Sequence, residues 1–489
     1  MKPIFKALIS GVAAVCILFG AVGCNSNAKD DENAKLLQQQ EELQKTVNTL
    51  LEKIESLTGT LTDTKAELEA VENKMNDAKT QLETVQAKLN ETADAEELAA
   101  LLAKQAELQD TINALAEQAE ALNSDLTNTK YELYIAQAKL TESDSTFTDY
   151  AVEAYEKLVY IDKMLSDRDS IDGENYKLAK KWIVSELLKA GYKEADISYQ
   201  DVSFAKYVSK TNPLKAAKSF STDGKFYSRA GWKYQEDENG NYIKATIVSE
   251  NIIVTKPGKT DKQIIIGMHY DGTGTGDNGS GIALGLTTAQ KFLHIETEYT
   301  LKFVFFTAEE YGCYGSGAYA ESMSETEIAN TLYMINMDSL VCGDYCYLYG
   351  GVQDNATKTV NQTGAYDNAM AIANKMGLSF KSNPWTWDNL SPDDQKSGVP
   401  SYASPSTGDW SDHAAFAEAG VPYLYFEATN WEIPDYTGYG ETYLVGMLMN
   451  TANDYLDYIE SYFPGRPMHH LSMFSKLLNQ LLVQNDYVK

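Results

Sequence analysis

The chain has 489 residues, enough for two or three domains, and a hydrophobic share of 43%, ordinary for a protein with a sizeable core. Asp and Glu outnumber Lys and Arg by 70 to 41, a formal net charge of −29 that argues against nucleic acid as a partner, because phosphate binding needs clustered Lys and Arg. In chain order, the first element is a leader. Lys2 and Lys6 open it, the apolar run "ALISGVAAVCILFGAVG" follows, and the run is short for a spanning helix but has the layout of a secretory signal.

The run ends in "AVGC", which resembles the bacterial lipobox, so residues 1–23 are expected to be removed and Cys24 to carry lipid. Residues 24–35 are polar and read as a tether. The expected location is the extracytoplasmic face of the cell membrane, lipid-anchored. A plain signal peptide with a chance cysteine is the alternative. Three cysteines then remain, Cys313, Cys342 and Cys346; Cys342 and Cys346 are close enough in sequence to pair, and three free buried thiols are equally compatible.

From Leu36 to Leu140 there is no proline and a single glycine, Gly59. Apolar residues recur in steps of three and four, from Leu43, Val47, Leu50 and Ile54 on to Val71, Ala78 and Leu89, then in a second run from Leu108 to Leu140. That is a sustained heptad seam over residues 36–142. The two runs are out of register, and Asp94 followed by Glu97 fits a capping box, so the seam is expected to be two long helices broken near 91–95. A helical hairpin is the simplest arrangement; a kinked parallel oligomer is the other. The segment has no histidine or cysteine to hold a metal, which leaves a stalk, self-association or a docking surface for another protein.

From residue 145 to residue 489 the pattern changes to short strands alternating with helices. "YAVEAYEKLVYIDKML" and "ENYKLAKKWIVSELLKAGY" read as helices, the second capped at Gly191. Gly231 to Val254 reads as a hairpin turning at Asn239–Gly240. "QIIIGM", "LKFVFF", "LYMIN" and "PYLYF" are continuously apolar, as suits central strands covered on both faces, and helical stretches lie between them. The expected fold class is α/β, an open and mostly parallel central sheet flanked by helices, preceded by the coiled coil.

Each apolar run leads to residues that ligate metals. "QIIIGM" delivers His269 and Asp271, and the glycine-rich "DGTGTGDNGSG" brings Asp277 back beside them. "LKFVFFTA" delivers Glu309 and Glu310, "LYMINM" delivers Asp338, and "GDWSDHAAF" delivers Asp412 and His413. Sites in open α/β sheets form beyond the carboxyl ends of the strands, so these loops can converge. His269 and Asp277 can share a metal, and Asp271, two residues from His269, can fix its ring tautomer. Taken one at a time the residues have ordinary roles: a core histidine, a turn aspartate, a helix-start glutamate pair, an N-cap. His294, His469 and His470 stand outside the pattern and read as surface or packing residues.

"HYD…GDNGSG", "AEEYGCYGS", "NMD" and "SDHAAF" together resemble, in this order, the co-catalytic zinc aminopeptidases, metallopeptidase family twenty-eight. The resemblance runs from about Tyr150 to Tyr462 and leaves out the lipobox and the coiled coil. It implies two zinc ions per chain. His269 and Asp338 would bind one, Glu310 and His413 the other, and Asp277 would bridge both, with Glu309 as general base. Two imidazoles and three carboxylates suit zinc, and an unligated carboxylate beside a zinc-activated water can take its proton. The sequence departs from the family at Cys313, where an aliphatic residue is common, and in the aromatic stretch 379–409. There Trp385, Trp387 and Tyr402, with Trp410 just after it, are expected to line one wall of a substrate pocket.

The implied activity is hydrolysis of N-terminal residues from peptides. A glutaminyl-cyclase-like acyltransferase with one zinc is the nearest rival, and a non-catalytic binding lipoprotein is the rival from another class.

Overall fold

The computed structural model describes residues 27–91, 94–141, 149–169, 171, 173–209, 242–433, 438 and 440–487. The expected leader, Cys24 and the first residues of the tether, 24–26, lie outside them; residues 27–35, expected as tether, are already helical. Among the described residues no helix is long and apolar enough to cross a membrane. The chain divides into two compact units, Met1–Leu126 with Lys139–Ser143, and Thr127–Ala138 with Asp144–Lys489.

The first unit is made from α1 (Asn27–Glu91) and the larger part of α2 (Ala95–Thr141). The break falls where the heptads lose register. Asp94 Oδ1 accepts from the backbone N–H groups of Glu96 at 3.0 Å and Glu97 at 2.9 Å, satisfying two of the donors that a helix start leaves open. The buried apolar residues of this unit, Val47, Ile54, Val71, Ala78 and Leu108, all lie on the heptad seam. The three turns Thr127–Ala138 of α2 belong to the second unit, so that unit begins earlier along the chain than residue 145.

The second unit is built on a seven-stranded sheet. Its strands are β1 (Ile197–Ser209), β2 (Tyr242–Lys256), β3 (Gln263–His269), β4 (Thr300–Phe306), β5 (Thr331–Met337), β6 (Tyr345–Tyr349) and, last along the chain, β9 (Tyr423–Thr429). A small separate ribbon pairs β7 (Val352–Asp354) with β8 (Thr359–Asn361). The sheet order is β1-β2-β4-β3-β5-β9-β6, with β4, β3, β5 and β9 parallel and the outer pairings antiparallel. The four central strands are the four apolar runs of the sequence.

Helices cover both faces. Ile264, Ile266, Met268, Ile335 and Phe426 point into the larger core, which includes α3 (Ala151–Met164), α5 (Gly279–Phe292) and α11 (Arg466–Val483). Ile265, Val304, Phe306 and Met334 point the other way, into a smaller cluster with Phe416 of α9 (His413–Glu418). Alternate residues of β3 are therefore apolar for different cores, which is why the strand reads as an unbroken hydrophobic run. The remaining helices are α4 (Glu174–Ala190), α6 (Tyr314–Ser322), α7 (Glu325–Asn330), α8 (Gly364–Met376) and α10 (Leu456–Tyr462). Gly191 ends α4 in a left-handed conformation, φ 115°, as expected.

The second arm of the expected hairpin is β2, which pairs with β1 in the register Ile197↔Val254 to Ser209↔Tyr242. The first arm and the turn expected at Asn239–Gly240 lie outside the described residues. The sequence of β2 carries the strand signal without naming its neighbour, and "ISYQDVSFAKYVS" is too polar to announce itself as a strand.

Candidate metal centre

The chain visits β3, then β4 on one side of it, then β5 on the other. The order therefore reverses at β3, and the crevice beyond the carboxyl ends of β3 and β5 is where an open α/β sheet places a site. His269 is the last residue of β3, and Asp338 follows the last residue of β5. His269 Nε2 lies 3.1 Å from Asp338 Oδ1 and 3.1 Å from Asp277 Oδ1. Among the described residues these three form the group able to hold one ion, with ligand atoms all within 4.8 Å of one another. Two ligand atoms about 2.0–2.1 Å from a tetrahedral zinc stand roughly 3.4 Å apart, so the spacing suits the ion.

The electrostatics point the same way. Burial favours a neutral His269, but Asp338, Asp271 and Asp277 push its pKa well above the ordinary histidine range. Burial and the neighbouring Asp338 raise Asp277, and burial with Asp277 and Glu309 raises Glu310. Burial would also raise Asp338, but the His269 charge beside it brings it below the usual carboxylate range. Buried and half-buried acids thus crowd around one imidazole. A cation is what such a cluster is short of.

The loop between β3 and α5 makes this geometry. Gly272 adopts φ 104°, open to glycine at no steric cost. At Gly276 the requirement is space: a Cβ there would come 2.0 Å from Cys342 Sγ and 2.9 Å from Asp454 Oδ1. Asp454 packs that closely because its carboxylate accepts from the backbone N–H groups of Gly276 at 2.7 Å and Asp277 at 3.0 Å. Asn278 caps α5, accepting from Gly281 N at 2.9 Å, and donates to the carbonyl of Met337 at 2.8 Å. One side chain thereby ties the start of α5 to the end of β5.

The expected site residues fall into three groups. His269, Asp277 and Asp338 form the cluster. Glu309 and Glu310 follow β4, and Asp271 accepts from both of their backbone N–H groups at 3.2 Å. The Asp271 carboxylate lies 3.6 Å from His269 Nδ1, an ion-pair separation rather than the hydrogen bond expected from the two-residue spacing. Glu309 is buried, and Cys313 Sγ donates to its Oε1 at 3.2 Å. Glu310 and His413 stand outside the three-residue cluster. His413 opens α9, its ring stacked on Tyr425 at 4.7 Å and its Nε2 3.0 Å from the carbonyl of Gly408. Asp412 is buried and makes no N-cap hydrogen bond.

Of the aromatic residues expected to form a wall, Trp385, Tyr402 and Trp410 pack with Tyr347, Tyr349, Tyr423, Tyr425 and Trp431; Trp387 is not in that cluster. His294 and His469 are exposed and His470 is buried. Cys313, Cys342 and Cys346 are free buried thiols.

Four further residues serve the site without having been singled out in the sequence. Ser411 donates to Asp338 Oδ2 at 2.7 Å and itself accepts from Asn336 Nδ2 at 2.8 Å. Asn450 donates to Asp277 Oδ2 at 3.1 Å. Asp454 anchors the loop as described. Arg168, wholly buried, donates to the carbonyls of Tyr270 at 3.2 Å, Leu165 at 2.8 Å and Gly274 at 3.0 Å. Ser411 sits inside "SDH" and could have been found there; the other three have no local signal.

Residues 251–443 match the model of peptidase family M28. That segment is an M28 domain. The alkaline phosphatase isozyme conversion protein of Escherichia coli (strain K12) is 30% identical over 211 residues, 40% of this chain and 56% of that protein. Aminopeptidase YwaD of Bacillus subtilis (strain 168) is 28% identical over 180 residues, 35% of this chain and 34% of that protein. The chain thus spans about half, or less, of these curated relatives. Among solved structures, a zinc aminopeptidase from Bacillus subtilis is 16% identical, with a TM-score of 0.47, over 70% of this chain and 100% of that one. An Acidobacteriales glutaminyl cyclase has a TM-score of 0.43 at 17% identity, over 70% of this chain and 97% of that one. The M28 domain contains all seven expected site residues, from His269 to His413. Asn450, Asp454 and Arg168 lie outside it and reach the same loop from flanking sequence.

Proposed function

We propose that the protein is a zinc-dependent aminopeptidase acting on peptides at the extracytoplasmic face of the membrane, tethered through lipid on Cys24. The observation that carries this reading is the meeting of His269, Asp277 and Asp338 at the β3/β5 crevice, beside a Glu309 that is not part of the ligand cluster. Zinc held there would supply a Lewis acid for the peptide carbonyl and would acidify a water.

His269 and Asp338 would hold one ion, Glu310 and His413 a second, and Asp277 would reach both. Ser411 and Asn450 orient the carboxylates of Asp338 and Asp277 by occupying their second oxygens. The Glu309 carboxylate takes the proton from the attacking water and passes it to the leaving amine. Asp271 fixes the backbone that presents Glu309. The aromatic cluster around Trp410 and Tyr425 offers an apolar wall beside His413. The two helices α1 and α2 would serve as a coiled-coil hairpin stalk.

The test is turnover of a panel of free and N-blocked aminoacyl substrates, with and without a chelator, on protein whose zinc content is measured. About two zinc per chain, with cleavage of free but not blocked substrates, is expected. About one zinc with cyclisation of N-terminal glutamine would establish the acyltransferase instead. No zinc and no turnover would leave a binding protein.

A further inference from the structure

The loop that carries Asp277 is held from behind by residues that lie outside the M28 match, and one of them comes from the helix preceding the domain. Asp162, on α3, is buried among apolar side chains. Its Oδ1 accepts from the hydroxyl of Thr275, two residues before Asp277, and from the backbone N–H of Leu456 at 2.8 Å, two residues after Asp454. Its Oδ2 accepts from the hydroxyl of Tyr131 on α2. Thr275 also donates its backbone N–H to the carbonyl of Asp454 at 3.0 Å. One carboxylate therefore grips both halves of the clamp in which Asp454 holds Gly276 and Asp277, and Tyr131 satisfies its remaining oxygen.

We infer that Tyr131 is a positioning residue for the metal loop, acting through Asp162 on Thr275. A buried carboxylate oxygen that loses its donor is costly. Deleting the Tyr131 hydroxyl leaves Asp162 to recover that loss by taking up a proton or by turning away from Thr275, and either loosens the loop. The neighbouring docking contacts of α2 do not have this reach. Tyr134 donates to Asp457 Oδ1 at 2.9 Å and Lys130 pairs with Asp457 Oδ2 at 2.6 Å, and neither is hydrogen-bonded to Asp162 or the loop. The inference rests on the metallopeptidase reading for its consequence in catalysis, but not for the coupling itself.

The experiment compares wild type, Tyr131→Phe and Tyr134→Phe, all in the full chain. Amide hydrogen exchange is followed by mass spectrometry over the peptide spanning residues 270–282, in metal-free protein. Zinc release to a chromogenic chelator is followed in loaded protein. In Tyr131→Phe the loop should exchange about tenfold faster, and zinc should leave about 10–100-fold faster, the range for loss of an outer partner of a ligand. Tyr134→Phe should stay within about twofold of wild type in both. Equal behaviour of the two variants overturns the inference and reduces Tyr131 to helix docking. Asp162→Asn, which keeps the shape and weakens both grips, should reproduce the Tyr131→Phe exchange and decides the matter where Tyr131→Phe does not fold. If wild type binds no zinc, the proposed function fails while the exchange comparison still decides the coupling.

Discussion

Asp271 receives the backbone N–H of Glu309 at 3.2 Å, and the same carboxylate receives that of Glu310. A side chain leaving β3 therefore dictates the conformation of the turn leaving β4. Ala308 just before it and Cys313 just after it both adopt positive φ, 57° and 56°, so the turn is one that outside support must hold. Asp271→Asn keeps the shape but can accept only one of the two N–H groups. The expected result is a fall in kcat of about 10–100-fold with KM changed much less, checked by steady-state kinetics on an aminoacyl anilide. An unchanged kcat would remove Asp271 from the site.

Glu309→Gln separates proton transfer from metal binding. Glu309 is not part of the three-residue ligand cluster, so zinc content should match wild type while kcat falls about 10²–10⁴-fold. Elemental analysis and turnover on the same preparation check it. Loss of zinc together with activity would make Glu309 a ligand and not the base.

Gly276→Ala tests the close packing behind Asp277. The new methyl would meet Cys342 Sγ at 2.0 Å, so the loop must move. A loss of about 1–3 kcal/mol in urea denaturation is expected, with weaker zinc binding. Adding Cys342→Ala removes the nearest clash and should restore part of both.

His470 gives a pH dependence away from the metal. Burial, with Arg466 and His469 nearby, lowers its pKa to about 3. The unfolded chain, with an ordinary value near 6.5, binds a proton between about pH 6.5 and pH 3 that the folded chain refuses. Stability from this group is therefore complete above about pH 6.5 and declines as the pH falls toward 3. Between pH 7 and pH 4.5 the loss is on the order of 2–3 kcal/mol. His470→Leu should flatten that portion of the urea-midpoint profile; a wild-type slope in the variant would refute the assignment.

The architecture was largely legible because the central strands β3, β4, β5 and β9 send alternate residues into different clusters and so read as nearly continuous apolar runs. The candidate ligands stood out because His269, Asp277, Glu310 and Asp338 come at or soon after the runs of β3, β4 and β5, and His413 lies in "SDHAAF" shortly before that of β9. What the sequence conceals is contact between distant single residues. Asp454, Asn450 and Arg168 reach the loop from 106 to 178 positions away, each through one polar side chain that leaves no periodic trace. β1 escaped notice for a related reason: its exposed face is polar, and its partner lies across a long intervening stretch. Asp271 shows the limit of spacing alone. Two residues from His269, it stands 3.6 Å from the ring Nδ1, and it also braces the neighbouring strand's exit, which the spacing does not announce.

The anchor of Gly276 and Asp277 is Asp454, 178 and 177 residues further along the chain. A growing polypeptide that has emerged only past "SDHAAF" already owns all five expected ligands, yet its glycine loop lacks the Asp454 acceptor for those two amides. The frame of the centre is thereby complete only once the chain has been made past Asp454, so a translation product truncated before it carries the ligands without the acceptor that sets their loop.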